Sequence, residues 1–138
     1  MHSLEINDER FSNPNVNELL RRLGPFDYSK LPDMEGERDK RAMLELENGA
    51  KYEGEWLRDS DVREGVGVQI WFDGSRYDGQ WVYSRANGIG RLIHADGDVY
   101  EGEWIDDKAQ GHGVYTHIDG SRYEGEWVED KQHGYGVE

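Results

Sequence analysis

One five-residue pattern, Tyr-x-Gly-x-Trp, recurs four times in the chain: from Tyr52 to Trp56, Tyr77 to Trp81, Tyr100 to Trp104 and Tyr123 to Trp127. The tyrosines stand 25, 23 and 23 residues apart. A period this short gives one supersecondary unit per repeat, and such a unit buries its hydrophobic face only when its neighbours stack against it. The chain must therefore fold as an array rather than around a single centre.

Ahead of each copy lies a turn dipeptide: Asn48-Gly49, Asp73-Gly74, Asp96-Gly97 and Asp119-Gly120. Such pairs are the strongest short-range hairpin signal and suit type I′ turns. With Asp73 and Gly74 as the two central residues, Ile70 falls opposite Tyr77, Val68 opposite Gly79 and Val66 opposite Trp81. Side chains alternate across a sheet, so these six residues are expected to share the buried face. Glu53, Glu55, Glu101, Glu103, Glu124 and Glu126 then form an acidic, hydrated face opposite. This register places Arg91 inside and Trp71, Leu92 and Tyr115 outside. In the first hairpin it turns Glu45 and Glu47 inward, which predicts a bulge in that strand or cover from the N-terminal segment. The stretches Leu57 to Gly65, Val82 to Gly88, Ile105 to Gly111 and Val128 to Gly134 read as polar loops, the first with two extra residues. Eight complete strands at about 4.8 Å each give a sheet about 40 Å long.

Composition decides between a sheet and disorder. Hydrophobic residues make up 35% and charged residues 33%, too few apolar groups for a thick core. Five Trp and eight Tyr at a fixed period, however, supply large rings on which a thin sheet can rest. The net charge of −14 disfavours nucleic acid and anionic membranes as partners. Cysteine is absent, which excludes disulfides and thiolate chemistry. Residues 1–10 lack the basic start and apolar run of a leader, so a soluble, cytoplasmic protein is expected.

Residues 1–41 read as an N-terminal extension and residues 42–138 as the repeat sheet, about four hairpins plus the start of a fifth. Val16, Leu19, Leu20 and Leu23 have the spacing of one helical face, with Asn13 to cap, Pro14 to begin and Gly24-Pro25 to stop a helix over about 14–23. That helix is expected to cover the first hairpin as a terminal cap, or to dock another protein. Phe26 to Pro32 reads as extended and Asp33 to Arg41 as a charged linker. The run Gly134 to Glu138 begins a strand whose open edge invites pairing with a second copy.

The pattern Tyr-Glu-Gly-Glu-Trp, then Asp107-Lys-Ala-Gln-Gly-His-Gly113 or Asp130-Lys-Gln-His-Gly-Tyr-Gly136, then Asp-Gly before the next tyrosine, resembles the MORN (membrane occupation and recognition nexus) repeat. The resemblance runs from about residue 42 to residue 138; the first two repeats lack the histidine, and Gln80 replaces a glutamate. It implies a mainly β protein, a single elongated antiparallel sheet of repeated hairpins with a short N-terminal helix. It also implies assembly rather than chemistry, since such proteins include ciliary radial-spoke components, cytoskeletal scaffolds and membrane-junction modules.

Chemistry-bearing constellations are sparse. Glycines follow the turn period and form no phosphate loop. The glutamate pairs around Gly54, Gly102 and Gly125 recur too regularly for an acid–base site. His112 and His117, an odd number apart in one strand, face opposite ways and do not share a metal. The expectation is a protein that is not an enzyme and needs no cofactor or metal, a scaffold docking partner proteins within a cytoskeleton- or axoneme-associated assembly. Contact is expected at the rings of Tyr52, Trp56, Tyr77, Trp81, Tyr100, Trp104, Tyr123 and Trp127, with Leu19, Leu20 and Leu23 of the helix as a second grip. The same rings also serve as framework. The alternative is a phosphoinositide or membrane-surface module using Arg21, Arg22, Lys30, Arg38, Lys40 and Arg41, against the sign of the net charge.

Overall fold

The computed structural model of the chain describes residues 11–32 and 34–137; the reading of residues 1–10 as lacking a leader falls outside them. It contains one helix, α1 (Pro14–Leu23), a 3₁₀ turn (Tyr28–Lys30) and nine strands: β1 (Arg38–Glu45), β2 (Lys51–Leu57), β3 (Arg63–Ile70), β4 (Arg76–Val82), β5 (Arg85–Ile93), β6 (Val99–Ile105), β7 (Lys108–Thr116), β8 (Arg122–Val128) and β9 (Lys131–Val137). The strands pair only with their sequence neighbours, in an open antiparallel meander from β1 to β9. The protein is thus mainly β, as the repeat requires, and β1 begins at Arg38, inside the stretch read as a linker.

The register differs from the expected one by a single residue. Gln69, Gly67 and Gly65, not Ile70, Val68 and Val66, stand opposite Tyr77, Gly79 and Trp81. The cause is the turn. Trp71 N donates to Ser75 O and Gly74 N to Trp71 O, both at 2.9 Å, which closes a three-residue loop rather than a two-residue one. Gly74 is left-handed at φ 88° while Asp73 is not, so a type I turn followed by a left-handed glycine forms here. The Asp73 carboxylate accepts from Ser75 N at 2.9 Å and favours that geometry. One extra loop residue moves every β3 side chain to the other face.

The type I′ turns lie at the opposite ends of the strands. The pairs Tyr83-Ser84, Asp106-Asp107 and Glu129-Asp130 all have positive φ and join strands that the sequence reading left as loops. Left-handed non-glycine residues are costly, by about 1 kcal/mol each, and cross-hairpin bonds offset this. Ser84 Oγ, Asp107 Oδ1 and Asp130 Oδ1 accept from Arg63 N, Ala86 N and Ala109 N at 2.7–3.0 Å. In return the amides of Ser84, Asp107 and Asp130 donate to the carbonyls of those same three residues. Each turn is thereby zipped to the hairpin before it. The inserted residues of the first connection, Arg58 and Asp59 among them, are exposed as expected.

Strands β3, β5 and β7 each carry a bulge near their start. In β5, Asn87, Gly88 and Ile89 span the interval that Gln80 alone fills in β4. Gln80 Oε1 accepts the freed Ile89 amide at 2.8 Å, as Glu55 accepts from Val66 N and Glu103 from His112 N. The last polar position of the pentapeptide therefore needs only an acceptor, which explains why glutamine serves at 80. In β1 the register slips between Arg41 and Leu44, a bulge in the strand where one was expected, but Glu45 and Glu47 had pointed inward only because of the one-residue difference at the turn: Leu44 stands opposite Tyr52 and Leu46 packs on the ladder.

Both faces of the sheet are covered. One carries the tyrosines and tryptophans. Over the other runs the segment from Phe11 to Pro32. Phe11 is buried on Val68 and Ile70, and Val16 of α1 on Ile93 and Val99. The helix therefore lies across β5 and β6 in the middle of the sheet, not over the first hairpin. Asn13 caps it through Asn15 N and Val16 N, and also bonds the carbonyl of Asp73. Farther along, Arg91 donates to Gly24 O, Tyr28 Oη to Asp78 at 2.7 Å and Gln80 Nε2 to Pro32 O. Asp78 is itself paired with Arg76 at 2.7 Å, both buried. Burial and the Asp78 carboxylate push the Tyr28 phenol well above its ordinary pKa, so it stays a donor.

Candidate functional site

The aromatic face is a continuous ladder. Tyr52 meets Trp56 and Trp81 edge-on at 5.1 and 5.4 Å, Tyr77 meets Trp81 and Trp104, and Tyr100 meets Trp104 and Trp127, all at 5.0–5.4 Å. Tyr123 closes the series on Trp127. The rings of Tyr52, Tyr77 and Tyr100 each lie over the second glycine of the following Gly-x-Gly, and a Cβ on Gly67, Gly90 or Gly113 would collide with them. Apart from the Trp56 indole, the polar atoms of the repeated rings bond to backbone carbonyls. The hydroxyls of Tyr52, Tyr77 and Tyr100 donate to the carbonyls of Glu55, Gln80 and Glu103 at 2.8–3.0 Å. Trp81, Trp104 and Trp127 donate to the carbonyls of Gly67, Gly90 and Gly113 at 3.1–3.2 Å. Trp56 departs from the pattern. The slip in β1 withholds the equivalent carbonyl, leaving its Nε1 buried without a partner, and the Arg41 guanidinium stacks over its ring at 5.0 Å.

These rings were the residues expected to touch partners, and the structure buries all eight of them, between 0% and 7% exposed. They act as framework. What the face presents instead is Leu46, Trp71, Leu92 and Tyr115, half-buried against the ladder, one from each hairpin. Trp71, Leu92 and Tyr115 are the residues the wrong register had turned outward, and Arg91 sits on the opposite face beneath Phe26. Of the helix residues, Leu19 and Leu20 pack against the Val16 cluster while Leu23 is 50% exposed.

Around the stripe lie two adjoining hollows. One, of about 510 Å³, runs between Trp71, Leu92, Trp104 and Asp107; the other, of about 480 Å³, is bounded by Leu44, Leu46, Trp56 and Asp61. Arg63 borders both. Its guanidinium is stacked on Trp81 at 4.9 Å and bonded to Gln69 Oε1 and Ser84 O, and burial lowers its pKa. At the far end Asp98 accepts from Tyr115 Oη at 2.8 Å and faces His117 at 3.2 Å. Burial alone raises that carboxyl; the bonds from Tyr115 and the Ile118 amide outweigh it and hold the pKa below the ordinary value.

The expected acidic face is exposed only in part. Glu101, Glu103 and Glu126 are exposed, whereas Glu53, Glu55 and Glu124 are half-buried. The cations considered for lipid headgroups are dispersed among local partners. Arg38 is taken up by the carbonyls of Met34, Glu35 and Gly36, and Arg21 and Arg22 pair with Glu18. Among the described residues no three His, Asp or Glu side chains are placed to hold a metal ion, and no helix is long and apolar enough to cross a membrane.

A search of curated proteins finds no match to the chain. The model of the MORN repeat matches residues 52–76, 77–99, 100–122 and 123–138, each match starting at a ladder tyrosine. With four consecutive repeats spanning well over half its length, the chain belongs to the MORN-repeat family.

Proposed function

We propose that the protein is a non-catalytic scaffold that docks partner proteins on its ladder face, within a larger assembly of the cytoskeletal or ciliary kind. MORN repeats are interaction modules, and the reading rests on one observation about this one. The stripe of Leu46, Trp71, Leu92 and Tyr115 offers one half-exposed apolar side chain per hairpin, backed by a ladder whose own polar atoms are almost all engaged. Such a surface holds its geometry without a ligand, so little ordering entropy opposes binding. The site contributes shape and apolar area. The carboxylates of the pentapeptide cap bulges, as Glu55 and Glu103 do, lie towards the surface or, in Asp78, are buried in a pair with Arg76 that Tyr28 completes.

The test uses the full chain as bait in native extract beside two variants, Leu92→Lys on the ladder face and Glu101→Lys on the other. Partners recovered at fixed stoichiometry by the parent and Glu101→Lys, and lost with Leu92→Lys, support the reading. Equal recovery by all three baits overturns it. Retention on phosphoinositide vesicles in place of protein partners would favour a membrane-surface module instead.

A further inference from the structure

We propose that Arg91 anchors a carboxylate-binding site on the face opposite the ladder, in the hollow between β5 and the segment that follows α1, and that its ligand is a single carboxylate carried on an apolar body. The site is independent of the docking surface described above.

An arginine presents Nε and Nη2 along one edge, and that edge matches the two oxygens of a carboxylate. Neighbouring strands of this sheet show the edge filled and unfilled. Arg76 on β4 spends it on Asp78: Nε donates to Oδ2 at 2.7 Å and Nη2 to Oδ1 at 3.1 Å, with both residues buried. Arg91 on β5 is as deeply buried, 4% exposed. Its Nη2 donates only to a neutral acceptor, Gly24 O, at 3.1 Å, and its Nε is buried with no acceptor among the described residues. The carboxylates on either side do not complete it. Asp78, opposite on β4, is taken up by Arg76 and by Tyr28. Glu101, opposite on β6, is exposed and accepts no bond from Arg91. An unmet donor on a buried charge is unfavourable, and a ligand that brings the missing acceptor removes that cost on binding.

The surroundings define the rest of the ligand. The unfilled edge faces the carbonyl of Gly24, and the residues on either side, Leu23 and Pro25, wall a hollow of about 420 Å³ that Arg91 also lines. Phe26, Leu31 and Ile89 make the remainder largely apolar. A hollow of this size and lining suits a small molecule or a single terminal residue with an apolar body. Charge sets the valence. Lys30 and Arg91 are matched there by Asp27 and Glu101, on a chain of net charge −14. A dianion such as phosphate gains nothing from that field, whereas one carboxylate is held by short bidentate bonds. A small organic acid and the C-terminus of a chain ending in an apolar residue both offer this chemistry.

The probe is hexanoate, titrated into the isotope-labelled full chain and followed by nuclear magnetic resonance of the backbone amides and of the arginine Nε–H groups. Comparators are hexanol, hexylammonium, inorganic phosphate, and the peptide acetyl-Gly-Gly-Leu as free acid and as amide. Hexanoate is expected to bind with Kd on the order of millimolar, shifting the Arg91 Nε–H signal and the amides of residues 23–31, and hexanol, hexylammonium and phosphate at least about tenfold more weakly. Arg91→Lys keeps the charge and loses the fork, and should weaken hexanoate at least about tenfold, with near-UV circular dichroism verifying the fold. Glu101→Gln leaves Arg91 in place and should tighten binding about twofold by removing a competing charge. Tighter binding of the peptide acid than of hexanoate assigns the site to a chain terminus, and the reverse to a small acid. Failure of both acids to bind, equal affinity for hexanol or the peptide amide, an Nε–H signal that hexanoate leaves unmoved, or weaker binding by Glu101→Gln overturns the site.

Discussion

Gly90→Ala separates steric need from conformational need in this array. Gly90 is not left-handed, so alanine fits its backbone, yet the added Cβ would stand 2.5 Å from Tyr77 Cε2 and closer still to Cζ and Oη. That ring has no direction of escape. It is 1% exposed, wedged between Trp81 at 5.1 Å and Trp104 at 5.3 Å, and tied through its hydroxyl to Gln80 O at 3.0 Å. Overpacking of this kind costs about 1–3 kcal/mol, and displacing the hydroxyl forfeits about 1 kcal/mol more. A loss of about 3 kcal/mol is therefore expected. Gly49 is the opposite case, left-handed at φ 87° with nothing within 4 Å of an added Cβ, so Gly49→Ala should cost only the strain, about 1 kcal/mol. Urea unfolding followed by tryptophan fluorescence gives the midpoints, compared at equal m. The reasoning fails if Gly49→Ala is the more damaging, or if Gly90→Ala is neutral.

Three further outcomes follow from the same contacts. Gln80→Ala strips the bulge amide of Ile89 of its acceptor and should cost about 1–3 kcal/mol in the urea midpoint, whereas Glu103, which occupies the same role, shows that a carboxylate serves there too. Tyr28→Phe removes the bond to buried Asp78 and should raise amide exchange selectively across residues 11–32, leaving β7 and β8 protected; uniform exchange across the sheet would contradict an independently attached segment. Burial raises the phenol pKa of Tyr28, Tyr52, Tyr77 and Tyr100. The unfolded chain then binds fewer protons than the native one above about pH 10, so stability should be level below that pH and fall as it rises further; a melting temperature unchanged to pH 11.5 would refute the burial of these hydroxyls.

The repeat, its antiparallel pairing and the helix at Pro14–Leu23 are legible in the sequence because each rests on local signals: period, turn dipeptides, Asn13 and Pro14. Register was not, for a physical reason. Asp-Gly serves a two-residue turn and a three-residue loop alike, and the two choices place opposite faces of β3 against Tyr77. Hydrophobicity appeared to settle the matter by favouring Val66, Val68 and Ile70, but that argument assumes one wet face. Here Phe11 and Val16 bury the second face, so Val68 and Ile70 pack there and Gln69 and Gly67 lie under the ladder. The warning was present in Trp71, Leu92 and Tyr115, three large apolar residues that the chosen register left in water. The same residues form the stripe, so misreading the turn also hid the candidate site. The type I′ turns escaped notice because Tyr83-Ser84, Asp106-Asp107 and Glu129-Asp130 lack glycine; their left-handed geometry is held by bonds to the preceding hairpin, which a local reading does not see.

The central claim, that the ladder face is where partners dock, is tested most directly by photo-crosslinking from single positions. A photoreactive residue replaces Leu92 on that face in one version of the full chain and Val114 on the opposite face in another, and each is irradiated in native extract. The account predicts discrete protein adducts from position 92 that disappear when Trp71→Ala is added, and none from position 114. Adducts from position 114 alone, or adducts from position 92 that are indifferent to Trp71, would contradict it.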